Sequence, residues 1–395
     1  MDLLLFEWSF AGGPGSRSIL PEGFGMLRSL NESFRQEGLE VTIPASEKLK
    51  DHSSFLKDAD IVPVYDDPGK TLEEISPDFD CSFIIAPESH GILSRLTRSV
   101  SPDSRLLSCP TDTVETFADK DKAYQLVSQT CRHLEVPAYI TTKTESKVIL
   151  DAAQKIGFPC VIKPVDGAGS EGNFIVRSPS DVPSACAKLR SFRYPKALIQ
   201  EYVRGRPLSA TFHAGPGKTT LLAVNTQSIS PSGSMTYMGG SCPFPLENSP
   251  ALGEIEELSV RDGLRGILGL DFIDTGGGIY FMEINPRITT SCIGLSRIIT
   301  PGLGSIIMGN QEAPELCGYA QWNLCPLQRS IRVEEKMVSR LIDMPNVVSP
   351  PFAAGQYYMK GSSKVLICVW GPDSLELPMI NAGVKDSLAG IHLPC

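Results

Sequence analysis

The sequence predicts a chain of mixed α/β and α+β architecture, in which a small doubly wound domain precedes a larger α+β unit. The first 105 residues have buried strands that alternate with an amphipathic helix, whereas the residues that follow lack this repeat. Of the 395 residues, 42% are hydrophobic and 21% are charged, so the chain has enough apolar material for two or three packed units.

The N-terminal segment has the order strand, helix, strand. The run "LLLF" indicates a buried strand and "AGGPGS" a glycine-rich turn, after which Leu27, Leu30 and Phe34 follow helical spacing up to Gly38. The run "LEVTI" then resumes as a strand. A further buried strand in "DCSFIIAPESHGILSRL" ends at "PES", where open α/β sheets place loops that contact ligands. Residues 1–105 are therefore predicted to form one small Rossmann-like domain.

A second unit is predicted over residues 106–310, with a lid subdomain at about 120–200. It begins with an amphipathic helix that Asp119 caps and that runs towards Pro137. A strand, the glycine-rich loop "DGAGSEG", another strand, a helix in "VPSACAKLRSF" and a strand in "KALIQEYV" follow. Residues 311–395 are predicted as a C-terminal extension that acts as a sheet-capping appendage, a subunit contact or a substrate gate.

Charge, cysteine pattern and the first residues exclude several classes of protein. The net charge of −9 provides no diffuse basic surface, so neither nucleic acid nor an anionic membrane is expected as a partner. The 11 cysteines include no CxxC pair, which favours buried reduced thiols over a zinc ribbon or a disulfide framework. The apolar stretch in "MDLLLFEWSF" is too short for a signal peptide or a membrane span, so we expect a cytoplasmic protein.

The stretch "GGIYFMEINPRITTS" ends an apolar strand with an acid, an amide and an arginine at alternate positions. Because the side chains of a strand alternate between its two faces, Glu283, Asn285 and Arg287 are predicted to share a polar face. Tyr280, Met282 and Ile284 are then predicted to lie on the opposite face, in the core.

Oxygen ligands converge near this strand. Asp271 lies one strand earlier, in "GLDFID". Its carboxylate joins the carboxylate of Glu283 and the side-chain amide of Asn285. Carboxylate and carbonyl oxygens suit magnesium, so these three residues are the candidate metal ligands. The alternative is a surface salt bridge between Glu283 and Arg287, which would be only weakly stabilising. The presence of Asp271 and Asn285 on the same face favours the metal.

The glycine-rich loop after Lys163 has two interpretations. It is either a simple hairpin or a loop whose backbone N–H groups close over phosphate groups. It matches neither the GxxxxGK[ST] phosphate loop nor a GxGxxG turn that opens a helix. Lys120 favours the phosphate, because a cation in the first turn of a helix is unfavourable unless an anion offsets it. The order Lys120, Lys163, glycine loop, "QEYV" edge and acids then fits a nucleotide site.

In this order the residues resemble the ATP-grasp superfamily of carboxylate–amine ligases, over about residues 110–298. The resemblance implies an ATP-grasp fold behind the small N-terminal domain, with ATP and Mg²⁺ (or Mn²⁺) as cofactors. It implies catalytic roles for Lys163 and for Arg287, which would steady the reacting phosphate, and metal binding by the three ligands above. The residues that it assigns to ATP are Lys120, Lys163, Gly167, Gly169, Ser170, Gly172, Gln200, Glu201, Tyr202 and Val203.

The reaction that this resemblance implies has two steps. A substrate carboxylate attacks the γ-phosphate of ATP to give an acyl phosphate and ADP, and an amine then displaces phosphate to form an amide. Charge neutralisation and positioning would supply most of the catalysis. An acid that often binds ribose in this superfamily falls near Leu208 here, which leaves ribose recognition unassigned.

The stretches "FEWSFAGG", "LPEGFGMLRSL" and "IIAPESHGIL" resemble the archaeal branch of this superfamily that joins L-glutamate to tyramine in methanofuran biosynthesis. The expected partners are thus an amino acid and an amine, and a homo-oligomer is left open. Glu7, Glu22 or Glu88 suits an ammonium group and Arg17 or Arg287 a carboxylate, and the sequence does not choose among them. A ligase for another pair of substrates and a regulatory nucleotide-binding protein stay as alternatives.

Overall fold

The computed structural model describes residues 1–14, 19–169, 171–230, 235–246, 249–310, 312–327, 331–332, 335–352, 357–358 and 364–390. Two residues named above, Arg17 and Ser170, lie outside the described residues. No helix in the described part of the chain combines the length and the hydropathy that a membrane span requires.

The N-terminal segment is a parallel sheet covered on both faces. Its elements are β1 (Asp2–Glu7), α1 (Leu20–Gln36), β2 (Glu40–Ser46), β3 (Asp60–Val64), α2 (Pro68–Ile75), β4 (Cys81–Ile85), α3 (Ile92–Ser99) and β5 (Arg105–Leu106). The strands pair in the order β3-β2-β1-β4-β5. Leu3 of β1 packs in one core with Leu27 of α1, and Leu4 packs in another with Leu96 of α3. The predicted Rossmann-like domain is confirmed.

Two connecting helices follow, and then an antiparallel sheet on which two further helices pack. The elements of this part are α4 (Thr111–Ala118), α5 (Lys120–Thr130), β6 (Leu134–Glu135), β7 (Tyr139–Lys143), α6 (Ser146–Ile156), β8 (Cys160–Pro164), β9 (Phe174–Val176), α7 (Val182–Ser191) and β10 (Lys196–Glu201). The sheet has the order β7-β10-β8-β9. Ile149 of α6 and Leu189 of α7 pack on it beside Ile162 and Ile199, which gives this part a core of its own.

The helix after Asp119 is shorter than the sequence predicts. The side chain of Asp119 caps it by accepting hydrogen bonds from the backbone N–H groups of Asp121 and Lys122, at 3.0 and 3.2 Å. Helix α5 ends at Thr130 rather than near Pro137, because Leu134 belongs to strand β6 and pairs with Ile279. The apolar stripe that suggested a longer helix thus continues into a strand.

A second antiparallel sheet carries the polar strand. The elements are β11 (Arg206–Gly215), β12 (Lys218–Thr226), β13 (Ser228–Ser230), β14 (Thr236–Cys242), α8 (Pro250–Arg261), β15 (Gly266–Asp274) and β16 (Ile279–Asn285). Strands β12, β11, β15, β16 and β6 form this sheet in that order. Ile255 of α8 shares a core with Phe212 of β11 and Phe272 of β15, so the helix covers one face.

The C-terminal part completes a sheet that starts before residue 310. Its elements are α9 (Ser291–Leu295), β17 (Ile299–Thr300), α10 (Leu303–Met308), β18 (Glu315–Leu316), β19 (Tyr319–Pro326), β20 (Ile331–Arg332), α11 (Glu335–Ile342), β21 (Val347–Ser349), β22 (Tyr357–Tyr358), β23 (Lys364–Gly371) and α12 (Leu377–Gly390). The sheet has the order β13-β14-β19-β23-β21. The division at 1–105, 106–310 and 311–395 stays a prediction, and its last boundary separates strands of one sheet.

Helices α1 and α10 approach each other closely at a glycine. A β-carbon built at Gly304 would lie 2.6 Å from the carbonyl oxygen of Ser33, and the Gly304 N–H donates to Ser33 Oγ at 2.7 Å. The contact is with backbone, which cannot turn aside as a side-chain end can.

We expect Gly304→Ala to lower the free energy of unfolding by about 1–3 kcal/mol, because the added methyl group forces the two helices apart. Gly253→Ala is the matched control: Gly253 is an exposed glycine of α8 with open space around it. This control is expected to gain up to about 1 kcal/mol through helix propensity. Urea unfolding of both variants tests the prediction, and equal effects would contradict the close helix contact.

Candidate active site

Two carboxylates lie opposite each other on neighbouring strands. Asp271 of β15 pairs with Glu283 of β16, and the register then shifts so that Phe272 pairs with Phe281. Met282 is the extra residue of this bulge. The predicted alternation is therefore wrong before the bulge: Tyr280 and Met282 were expected in the core and are not buried there, whereas Phe281 is fully buried. Met282 lines the same cavity as Glu283. A bulge reverses the facing of every residue on one side of it, and sequence spacing does not reveal it.

Lys120 joins the glycine loop to the acid pair. Its Nζ lies 2.9 Å from Glu283 Oε2 and donates to the carbonyl oxygen of Gly167 at 2.6 Å, and the lysine is 5% exposed. Although burial opposes the effect, Lys120 and Lys163 lower the pKa of Glu283. The anion that a lysine requires in the first turn of a helix is thus supplied here by Glu283, and the ammonium group also lies next to the loop predicted to cover phosphate.

Lys163 lies in a chain of buried polar groups. Its Nζ donates to Tyr124 Oη at 2.9 Å and to the carbonyl oxygen of Met282 at 3.2 Å, and the Tyr124 hydroxyl donates to Gln200 Oε1 at 2.8 Å. Burial lowers the pKa of Lys163 to about 7, because the charged form loses its hydration. A bound anion would restore the charged form. The sequence did not indicate Tyr124, since its place in the helix is that of an ordinary core residue.

The surroundings of Asp271 fit a divalent cation. Its two oxygens accept hydrogen bonds from Gln227 Nε2 at 2.7 Å and from Asn285 Nδ2 at 3.3 Å. Burial, the negative charge of Glu283 and a hydrogen bond between the two carboxyl groups raise the pKa of Asp271, so a shared proton is favoured over two like charges. Among the described residues no three His, Cys, Asp or Glu side chains converge on a metal. The predicted ligand set of two acids and an amide supplies oxygen donors only, which suits Mg²⁺ or Mn²⁺ held also by phosphates and water.

Arg287 is held by the N-terminal domain. Its Nε lies 2.8 Å from Glu88 Oε1, and its guanidinium group also donates to Asn285 Oδ1 at 3.3 Å and to the carbonyl oxygen of Ile288 at 3.0 Å. Glu88 is 5% exposed. The structure therefore brings Arg287 beside the three predicted metal ligands and pairs it with Glu88, which was considered only as an ammonium ligand.

The glycine loop connects β8 and β9, which pair as an antiparallel hairpin. The loop is thus a hairpin turn, and it also lines the cavity through Gly169, so its geometry is compatible with both interpretations. Gly169 and Gly172 have positive φ angles of 62° and 81°, which favour glycine. At Gly167 a β-carbon would lie 2.2 Å from Pro164 Cγ, so this position has no room for a side chain.

The segment after β4 touches this loop. Ser89 Oγ accepts from the N–H of Ala168 at 3.1 Å, and the N–H of His90 donates to Asp166 Oδ2 at 3.2 Å. The ring of His90 also stacks on Tyr194, with centroids 4.7 Å apart. The N–H of Glu171 also donates, to the carbonyl oxygen of Ala168 at 3.2 Å. Two loop N–H groups of the described residues are therefore already engaged, and the sequence-based expectation that the loop N–H groups are available for phosphate holds only for the others.

The predicted adenine edge follows β10. The N–H of Glu201 donates to the carbonyl oxygen of Ala138 at 2.9 Å, and that of Tyr202 to Pro159 at 3.4 Å. Within the described part of the chain, the N–H of Val203 has no hydrogen-bond partner. Leu208 is fully buried, so it supplies no contact to a ribose.

These groups face a cavity of about 1280 Å³ with its open mouth included. Lys163, Arg287 and the acid pair line it together with side chains of other chemistry. The additional lining residues that bear on substrate choice are Glu7, Glu22, Met26, Ile229, Met235 and Tyr237. Ile229, Met235 and Tyr237 carried no local signal in the sequence, because their place in the site depends on how β13 and β14 pair.

Two family models match the chain: a pre-ATP-grasp domain over residues 39–114 and an ATP-grasp domain over residues 117–291. The second match spans Lys120, both acids and Arg287, and it ends at the start of α9. The chain has the ATP-grasp fold, and it is an ATP-dependent enzyme of the carboxylate–amine ligase class.

Within this class the chain is similar to tyramine–L-glutamate ligases. It is 29% identical to that of Methanocaldococcus fervens over 326 residues, which are 80% of this chain and 95% of that ligase. It is 26% identical to that of Methanocaldococcus jannaschii over 325 residues, or 80% and 90% of the two chains. The fold is similar to that of an N5-carboxyaminoimidazole ribonucleotide synthetase in complex with ADP, with a TM-score of 0.70, 14% identity and coverage of 99% and 96%.

Glu7 generates a prediction about pH. The carboxyl group is 1% exposed at the end of β1 and accepts from the N–H of Phe10 at 2.6 Å; burial raises its pKa from 4.5 to about 7. Because the folded-state pKa lies above the unfolded one, this carboxyl group lowers the stability of the fold as pH rises from about 4.5 to 7.

Glu7→Gln should therefore gain about 2–3 kcal/mol in free energy of unfolding, relative to the unsubstituted chain, between pH 4.5 and pH 8. Thermal or urea unfolding at several pH values measures the difference. Glu37→Gln, which replaces an exposed carboxylate at the end of α1, is the control and should show no such gain. A pH-independent difference for Glu7→Gln would show that Glu7 is ionised in the fold at little cost.

Proposed function

We propose that this enzyme joins the γ-carboxylate of L-glutamate to the amine of tyramine, with ATP as the energy source, in methanofuran biosynthesis. The observation that carries the proposal is the shared cavity, in which cations and acids suited to ATP face acids and apolar side chains suited to an aromatic amine. The similarity to two tyramine–L-glutamate ligases over 80% of the chain supports the same substrates.

ATP would lie between the hairpin loop and the second antiparallel sheet. Its phosphates would contact Lys120 and Lys163, whose ammonium groups both lie near Glu283, and the loop glycines would cover them. Adenine would meet the edge formed by Gln200 to Val203, where no described residue accepts a hydrogen bond from the N–H of Val203. Ser170 belongs to the same proposed set.

Magnesium would be held by Asp271, Glu283 and Asn285, and it would neutralise charge on the phosphates when bound. The chain's own groups do the rest of the positioning. Arg287 would hold an oxygen of the transferring phosphoryl group, since Glu88 and Ile288 fix its guanidinium group beside the acids. The phosphates would favour the protonated form of buried Lys163, whose ammonium group would then stabilise the negative charge that grows on the phosphate oxygens.

The reaction would proceed by two displacements. A γ-carboxylate oxygen of glutamate attacks the γ-phosphorus, the bond to the β,γ-bridging oxygen breaks and ADP leaves. The amine nitrogen then attacks the acyl carbon, the bond to the phosphate oxygen breaks, and the nitrogen loses a proton as the amide forms. Exclusion of water protects the acyl phosphate between the steps, which the cavity's apolar side chains support.

Two alternatives stay testable. A ligase of this class with another acid and amine would use the same phosphate-binding residues with a different cavity lining. Its choice of substrates would depend on the shape of the cavity. A regulatory nucleotide-binding protein would not require the proposed set of metal ligands, Asp271, Glu283 and Asn285, because ATP binding alone does not need them. Small-molecule substrates are common to both ligase hypotheses, and a homo-oligomer stays a prediction.

We expect Glu283→Gln to lower kcat for ADP release at least about 100-fold, because it removes a metal ligand and the partner of Lys120. Asp274→Asn, at the end of the same strand pair, is the matched control and should retain activity. Thermal unfolding must show that both variants are folded. Retained turnover in Glu283→Gln, with Mg²⁺ present, would contradict the proposed metal site.

The substrates are tested by ADP release with Mg²⁺-ATP, glutamate and a panel of amines, with product mass measured for each. ADP that appears only with both glutamate and tyramine, together with the mass of their amide, is the expected result. Another amine in place of tyramine would leave the ligase class and change the substrate. Absence of ADP release with every pair of acid and amine would contradict the proposed reaction.

A further inference from the structure

The cavity wall formed by β13 and β14 depends on the C-terminal part of the chain. Ile229 of β13 and Tyr237 of β14 line the cavity, and these two strands pair with each other. On its other side β14 pairs with β19, where Gly240 lies opposite Trp322. The wall is thus one edge of a sheet whose remaining strands come from beyond residue 310.

Trp322 is the contact through which this sheet reaches the cavity. Its Nε1 donates to Tyr237 Oη at 2.6 Å, and the indole is fully buried. Two glycines make room for the ring: a β-carbon would lie 2.9 Å from it at Gly240 of β14 and 2.5 Å from it at Gly294 of α9. The ring is therefore confined from two sides, and its N–H has a fixed direction.

The electrostatic surroundings of Tyr237 select the sign of its ligand. The carboxylates of Glu22 and Asp271 both act on the phenol, and Glu22 accepts a hydrogen bond from Thr290 Oγ1 at 3.1 Å. Burial raises the pKa of Glu22, and the cations Lys364 and Arg287 act on its carboxyl group in the opposite direction. An ionised Glu22 would repel a substrate carboxylate and attract an ammonium group. The neighbouring side chains Met26, Ile229 and Met235 are apolar and suit a hydrocarbon or aryl body.

The hydroxyl of Tyr237 has a defined role in this arrangement. Burial raises the pKa of Tyr237, which keeps the phenol protonated. Because Trp322 donates to its oxygen, the hydroxyl hydrogen is left to donate to another group. Among the described residues none accepts a hydrogen bond from this hydroxyl, so a polar group of a ligand would satisfy it.

We propose that Tyr237 is a specificity-determining residue for the amine substrate, an arylalkylamine, and that Trp322 is the residue that positions it. The ammonium group lies towards Glu22, and the aryl body packs against Ile229 and Met26. The C-terminal sheet thereby forms part of the substrate site. This inference rests on the proposed function for the identity of the amine, and it adds the residues that choose it.

The test compares Tyr237→Phe and Trp322→Phe, which keep an aromatic ring and remove one partner of the hydrogen bond each. Both should raise KM for tyramine about five- to tenfold and leave KM for ATP within twofold. The double variant should show no more than the larger single effect, because both substitutions break the same contact. Trp370→Phe is the control: this tryptophan lies in β23 against Arg297 and does not line the cavity, so KM for tyramine should not change.

Calorimetric titration of tyramine itself supplies a measurement that needs no turnover. The unsubstituted chain should bind tyramine, and both variants should bind it about five- to tenfold more weakly. Weaker binding in the variants without any glutamate-dependent ADP release would contradict the proposed reaction and support the inference. Undiminished binding in the variants, no tyramine binding by the unsubstituted chain, or equal rises in KM for ATP and tyramine would overturn the inference.

Discussion

The opposition of Asp271 and Glu283 across β15 and β16 is the constraint on which the rest of the site depends. Two carboxylates at this depth repel each other, and the fold answers with Lys120 from α5 and Lys163 from β8. These cations come from different elements, so balancing the charge also brings the hairpin sheet against the second antiparallel sheet. The balance is incomplete without ligands, because burial still disfavours the charge on Lys163 and the charge on Asp271. In the proposed function, anionic phosphates and a divalent cation would supply the two missing charges.

The N-terminal domain contributes to the same balance through the short segment that follows β4. Glu88 holds Arg287, Ser89 accepts from the loop at Ala168, and His90 reaches both the loop and Tyr194. One turn of chain thus contacts the arginine proposed to hold phosphate and the loop proposed to cover it. This explains in physical terms why the end of a strand in the parallel sheet, marked "PES" in the sequence, matters to chemistry carried out on another sheet.

Much of this arrangement followed from local patterns. The parallel domain, the cap at Asp119, the hairpin loop and the acids on adjacent strands all depend on residues close in sequence, where periodicity and turn chemistry apply. What could not be predicted depends on pairing over long distances. The bulge at Met282 adds one residue to one strand without altering composition, and the contact of Trp322 with Tyr237 joins residues 85 positions apart. The roles of the individual site residues, including those that ATP would contact, stay predictions.

The residues proposed to bind phosphate and those proposed to face the organic substrate are distributed differently with respect to the family matches. The cations, the acids and Arg287 all fall inside residues 117–291, the part that matches the ATP-grasp domain, and phosphate chemistry is what such a shared domain would have to preserve. Glu7 and Glu22 precede both matches, and Trp322 follows them. A site whose phosphate-binding groups lie in the shared domain, and whose substrate-facing groups lie partly outside it, can change its substrate without disturbing its reaction. Tyr237 lies inside the match, whereas Trp322, which donates a hydrogen bond to it, lies outside. This contact therefore links the phosphate-binding domain to the C-terminal part that is proposed to shape the amine site.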